Sequence, residues 1–241
     1  MILKKIKQLV DENRKYHKEQ LLLLKELDWA NVYHDSIRGK EYLEKLPLNI
    51  GRWAGNYSFF YVLNRVLQDY KPKTILEFGL GESTKFISTY LTHTLLQSHH
   101  LVVEHNVEWK EKFLETAILC DRSEIFIAAL EEKEVEGYNS RYYSGLSTKI
   151  TGSYDLYVID GPIGSLHYSR YNIVDIAEKF SAKNEFIIIF DDINRKGEQD
   201  TIKNLLAVLA KKSIKVFTQI YDGRKSVVVI ATALYKPITS I

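Results

Sequence analysis

Apolar positions recur with a helical period over residues 2–28. Ile2, Ile6, Leu9, Val10, Asn13, Tyr16 and Gln20 share a spacing near 3.6, and Leu21–Leu24 thicken the stripe. Residues 29–56 lose that rhythm. Trp29, Tyr33, Tyr42 and Trp53 are scattered, and Pro47 and Gly51 interrupt, so the segment reads as irregular. Helical periodicity returns over 57–69 through Phe60, Leu63, Val66 and Leu67.

From Lys73 onward short apolar runs alternate with amphipathic stretches. The pattern predicts strands at 74–78, 101–104, 124–130, 154–160 and 186–191. Between them it predicts helices from Ser83 to about Leu96, over 108–120 and over 171–180, with one more at 198–212. Residues 131–153 show no clean period and read as a loop. Two closing runs, 216–221 and 226–232, flank Asp222-Gly223, a hairpin signal. Alternating strands and helices predict an α/β fold: a doubly wound, Rossmann-like, mostly parallel sheet of seven strands. The C-terminal hairpin would be antiparallel. The run Phe186-Ile-Ile-Ile-Phe190 has no alternation, as a strand buried on both faces requires. The division expected is an N-terminal helical extension, 1–70, and an α/β domain, 71–241.

Composition changes this picture little. The 241 residues carry 33 Lys+Arg against 31 Asp+Glu, a net charge of +2, too near neutral to indicate a nucleic-acid partner. A single cysteine, Cys120, excludes an intrachain disulfide. Charges interrupt the N-terminal apolar positions, and Leu21–Leu24 is too short to span a bilayer, so a cytoplasmic protein is expected. The N-terminal helix reads as a homodimer arm, a lid, or a helix laid over the sheet.

In open α/β sheets, ligands bind beyond the carboxyl ends of the strands. The first such end reads Glu77-Phe78-Gly79-Leu80-Gly81-Glu82-Ser83-Thr84. The glycines allow a tight turn and close approach of a ligand, and Ser83 is placed to cap the next helix. A dinucleotide fingerprint would need a third glycine where Thr84 stands, which speaks against a nicotinamide oxidoreductase. Glu104 ends the second strand, where a carboxylate can accept both hydroxyls of a ribose. Asp160, Asp191 and Asp192 end the fourth and fifth strands. Clustered carboxylates require a proton or a cation between them, and a hard ion such as Mg²⁺ suits such ligands. The other reading has Asp160 touching cofactor or substrate while Asp191 and Asp192 cap a turn.

Residues 73–232 resemble the class I S-adenosylmethionine-dependent methyltransferases. Glu77, Gly79 and Gly81 match the family's first motif, and Glu104 its acidic residue after the second strand. Tyr154–Pro162 is similar to the fourth-strand motif, and the closing hairpin to the reversed last strand. The resemblance implies S-adenosylmethionine as cofactor, held by Glu77, Gly79, Gly81, Ser83, Glu104 and Asp160. Adenine would lie near Ala128–Glu131, where the family's acidic or amide signature is not clear. Asp160, Asp191 and Asp192 look like the metal site of catechol-type O-methyltransferases, with Asp192 where that pattern has Asn.

Asp160-Gly-Pro162 together with Asp191–Glu198 is similar to glucuronoxylan-type and glycan-associated O-methyltransferases. That implies a sugar or small hydroxylated acceptor, with Arg195 set to pair with a sugar carboxylate. Asp160, Asp192 and His167 are the candidate bases. The segment Trp53–Tyr61 either roofs the acceptor or packs as core. A non-catalytic binding module built on the same fold is the competing reading.

Overall fold

The computed structural model describes residues 2–241. Helix α1 (Ile2–Ile37) does not stop at residue 28. Trp29, Tyr33 and Ile37 fall one turn apart, so the aromatic segment continues the helix and buries that face. A short α2 (Glu41–Glu44) follows, then α3 (Tyr57–Arg65), whose Asn56 cap accepts the Phe59 N–H. A π-helical turn, Val66–Tyr70, closes this segment at Lys71, which is left-handed.

The domain then runs β1 (Thr74–Phe78), α4 (Glu82–His93), β2 (His99–Glu104), α5 (Val107–Thr116) and β3 (Ser123–Ile127). The segment expected as loop holds an antiparallel hairpin, β4 (Leu130–Val135) and β5 (Tyr138–Tyr143), and a short α6 (Leu146–Lys149). Glu136 and Gly137, both with positive φ, make its turn. Next come β6 (Leu156–Ile159), α7 (Asn172–Ala177), β7 (Ile187–Phe190), α8 (Lys196–Lys211), β8 (Val216–Asp222) and β9 (Ser226–Thr232). The third strand is thus shorter than expected, because Ala128 and Ala129 lead into the hairpin.

The main sheet has seven strands in the order β3-β2-β1-β6-β7-β9-β8. All pairs are parallel except those made by β9 with β7 and β8. The order reverses between β1 and β6, which sets the crevice where ligands of such sheets lie.

Alternate residues of the central strands feed two cores. Val158, Ile187 and Ile189 pack with Tyr33, Phe60 and Phe86 from α1, α3 and α4. Tyr157, Ile188 and Phe190 pack on the other face with Ile173 of α7 and Leu205 of α8. The N-terminal segment is therefore one of the sheet's covering layers and shares its core. Trp53 is exposed, whereas Phe59, Phe60 and Tyr61 are buried, so that stretch divides between surface and core. Among the described residues, no helix is long and apolar enough to cross a membrane.

Candidate functional site

The site forms where β1 and β6 end side by side. Gly79 follows β1 with φ +100°, a conformation that disfavours other residues. A Cβ on Gly79 would lie 3.1 Å from the Gly161 nitrogen, so the turn after β1 and the turn after β6 touch through their backbones. A Cβ on Gly81 would meet nothing within 4 Å, so that position faces open space.

Glu77 is fully buried and engages its own turn. Its carboxylate accepts the hydroxyls of Ser83 and Thr84, the latter at 2.8 Å, and lies 3.0 Å from Nε2 of His100. Ser83 is thus tied to Glu77 and is not the helix cap; the helix begins at Glu82, with Gly81 in the cap position. The Thr84 hydroxyl accepts the Gly81 N–H at 3.1 Å. The place of a dinucleotide motif's third glycine is taken by a side chain that the turn needs.

Glu104 reaches this turn from β2. One carboxylate oxygen accepts the Leu80 N–H at 3.0 Å. The other accepts the N–H groups of His105 and Asn106, each at 2.8 Å, and lies 2.8 Å from His105 Nδ1. The indole of Trp109 donates to the Leu80 carbonyl at 2.8 Å, which fixes the turn from the α5 side.

Sequence reasoning missed Tyr143, at the end of β5. Its hydroxyl would lie 2.5 Å from a Cβ on Gly161, and its ring is 5.5 Å from that of Phe78 and 6.3 Å from His105. The residue is buried, and the hydroxyl has no hydrogen-bond partner. Burial, with Glu104 next in effect, holds its pKa well above the usual phenol range, so it is a donor at neutral pH. The Asn172 side chain brackets its backbone, accepting from Tyr143 N at 2.9 Å and donating to Tyr143 O at 3.0 Å.

Asp160, Asp191 and Asp192 do converge, with a carboxylate oxygen of each within 4.8 Å of the others. Two cations unforeseen from the sequence sit among them. Arg170, buried, places Nη2 3.2 Å from Asp160 and 2.8 Å from Asp192, and its Nε 3.8 Å from Glu198. Lys225, at the start of β9's hairpin arm, is 3.5 Å from Asp192. Arg195 is half exposed and already 3.1 Å from Asp192, so it is not a free anion receptor. Asp192 itself is left-handed, with φ +61°, a strained conformation of the kind functional sites hold.

The three carboxyls separate in acidity. Burial is the largest influence on Asp191 and, with repulsion from Asp160 and Asp192, lifts its pKa to about 8; neither of its oxygens has a partner. Burial likewise raises Asp160, to about 6, against the pull of Arg170. Burial would raise Asp192 too, but Arg170, Lys225 and Arg195 together outweigh it and hold that carboxyl below its usual value. With Asp191 protonated, Asp160, Asp192 and Glu198 balance Arg170, Lys225 and Arg195.

His167 stands in a different constellation. Its Nδ1 lies 2.7 Å from Asp200 of α8, and its ring packs on Tyr138 at 4.1 Å between centroids. None of its hydrogen bonds reaches the Asp160 cluster. Ala128 is buried behind β3, and Leu130–Glu131 open the hairpin.

No family model matches the sequence, and no curated protein matches it either. Solved structures do. The O-methyltransferase from Bacillus cereus in complex with SAH aligns over 89% of this chain and 100% of its own, with TM-score 0.53 and 14% identity. The O-methyltransferase TomG from Streptomyces achromogenes, involved in tomaymycin synthesis and in complex with SAM, covers 85% and 89% at TM-score 0.47 and 14% identity. The SAH-bound Podospora anserina methyltransferase covers 85% and 87% at TM-score 0.41 and 14% identity. On the alignment that spans the whole Bacillus cereus enzyme, the chain shares the Rossmann-like fold of that structure.

Proposed function

We propose that the protein is an S-adenosylmethionine-dependent methyltransferase that acts on a hydroxyl group of a small acceptor. The observation that carries this reading is the attachment of Glu104 to the glycine turn. A buried carboxylate at the end of β2 is fixed beside the open space over Gly81, at the reversal point of the sheet. The groups present fit an adenosyl ligand. The Glu104 oxygen that takes the Leu80 N–H has a second lone pair to receive a ribose hydroxyl. The Tyr143 hydroxyl is a buried donor without an acceptor, and a ligand oxygen would satisfy it. Bound there, the donor supplies a methyl group on a sulfonium sulfur.

The chain's own task is alignment and proton removal. Asp160, with its pKa raised to about 6, is ionised at neutral pH yet basic enough to take a proton. Arg170 holds that carboxylate and stabilises its charge. Asp160 accepts the proton of the acceptor hydroxyl as the oxygen–methyl bond forms and the sulfur–methyl bond breaks. Asp192 is committed to Arg170, Arg195 and Lys225 and is the weaker candidate for this role. His167, paired with Asp200, lies outside it.

The three aspartates have the oxygen chemistry of a Mg²⁺ site, but the fit is poor. Arg170 already spans Asp160 and Asp192, and the positive charge a divalent ion would bring is present in Arg170 and Lys225. We therefore read the transfer as metal-independent. A sugar belongs to the acceptor class proposed, but Arg195 is engaged with Asp192 and lends the sugar reading no carboxylate receptor.

The test is transfer of labelled methyl from S-adenosylmethionine to a panel of phenols, sugars and uronic acids, with and without chelator. The expected product is a base-stable methyl ether, formed equally in chelator and lost in Asp160→Asn. Label found only on nitrogen or on carboxylates, or formed only with added Mg²⁺, contradicts the reading.

A further inference from the structure

Helix α1 is far longer than its contact with the body. Its last turns are anchored: Tyr33 and Ile37 are buried, and the Trp29 indole donates to the Asp222 carbonyl at 2.8 Å. Residues 3–21 are exposed throughout. A stretch of some 20 residues without tertiary contacts lacks the packed face from which helices in proteins draw most of their stability. It also exposes large apolar side chains: Ile6, Leu9, Tyr16, Leu23 and Leu27 are each at least half exposed. A stripe of this kind, apolar except at Asn13 and Gln20, marks a covered surface.

The spacing suits a second helix. Ile6, Leu9, Asn13, Tyr16, Gln20, Leu23 and Leu27 alternate steps of three and four residues, a heptad seam over about 32 Å of helix. A sheet-packing helix would need a wider face, and its partner sheet is absent from this stretch. Ile6, Asn13, Gln20 and Leu27 take one core position, and Leu9, Tyr16 and Leu23 the other. A polar Asn at such a position costs stability but fixes register and favours two strands when it meets its own copy. Asn13 and Gln20 lie in the middle of the stripe, where burial in a lipid acyl layer would leave their amides without partners. Glu12 flanks the seam on one side and His17 on the other, so in a parallel pair Glu12 of one helix faces His17 of the next.

We infer that the seam of α1 pairs with a second copy of this chain, forming a parallel two-stranded coiled coil that joins two sheet domains. The occupant is self-complementary: the same stripe on both helices, related by a two-fold axis. The inference is independent of the proposed chemistry, since the seam touches none of the site residues.

The test is sedimentation equilibrium of the full chain at micromolar concentration. Twice the chain mass is expected, and the double variant Leu9→Glu, Leu23→Glu should sediment at the mass of one chain while retaining the near-ultraviolet circular dichroism of the folded body. Asn13→Leu should make the pairing tighter, lowering the concentration at which the assembly dissociates, because a polar core residue costs stability. A parent protein that stays monomeric, a double variant that stays dimeric, or a parent that is monomeric in solution and pellets with anionic phospholipid vesicles would each overturn the inference.

Discussion

The carboxylate of Glu104 accepts the backbone N–H of Leu80 at 3.0 Å, which ties the end of β2 to the middle of the glycine turn after β1. The same side chain receives the N–H groups of His105 and Asn106, so it orders the turn and presents its remaining lone pair to the crevice. Glu104→Gln keeps the shape but turns one acceptor oxygen into a donor that must face a backbone N–H. Charge-assisted bonds of this kind are worth about 1.5–3 kcal/mol. Calorimetric titration should show S-adenosylhomocysteine bound about 10–100-fold more weakly, and the melting temperature should fall by several degrees.

Tyr143→Phe should separate stability from binding. The hydroxyl is buried and unpaired, so its removal relieves a desolvation cost of about 1–3 kcal/mol in the ligand-free protein. The variant should melt higher than the parent and bind S-adenosylhomocysteine more weakly. A variant that binds as tightly as the parent would show that the hydroxyl does not meet the ligand.

Arg170 joins Asp160, Asp192 and Glu198 from the middle of a buried cluster. Arg170→Met leaves buried carboxylates uncompensated, which costs about 3–5 kcal/mol. Chemical denaturation should show that loss, and adding Asp192→Asn should recover part of it, because the second change removes one of the orphaned charges.

Asp191 gives the protein a pH dependence of definite sign. Its pKa is about 8 in the fold, against 3.8 ordinarily, so between about pH 4 and 8 the folded chain holds a proton that the unfolded chain has lost. This group's contribution to stability therefore falls as pH rises through that window and levels off above it. Asp191→Asn removes the effect. Its advantage over the parent in thermal melts should be small near pH 5 and grow to several degrees by pH 9.

Much of this was legible in the chain itself. The strand ends, the glycine turn, Glu104 and the trio Asp160, Asp191 and Asp192 follow from local pattern, because a parallel sheet delivers the ends of its strands to one edge. Arg170 and Lys225 were not legible. Arg170 lies in the loop after β6, and Lys225 lies in the turn just before β9, whose antiparallel direction brings its start to the edge where β7 ends; only the packed sheet brings both to Asp192. The β4–β5 hairpin was hidden by its own exposure, since Glu131, Glu132, Lys133 and Glu134 face solvent and mimic a polar loop. Glu136-Gly137 between two six-residue runs was the signal for it. The extension of α1 was concealed by scattered aromatic side chains, although Trp29, Tyr33 and Ile37 are spaced as a helix requires.

The central claim, an adenosyl ligand seated over the glycine turn, is tested most directly at Gly81. Its φ of −172° suits any residue, and a Cβ there meets nothing within 4 Å, so Gly81→Arg should fold as the parent does and thrust a side chain into the crevice. Calorimetry with S-adenosylhomocysteine should show one site in the parent and no binding in a variant of equal melting temperature. A parent that does not bind, or a variant that binds as well as the parent, contradicts the account.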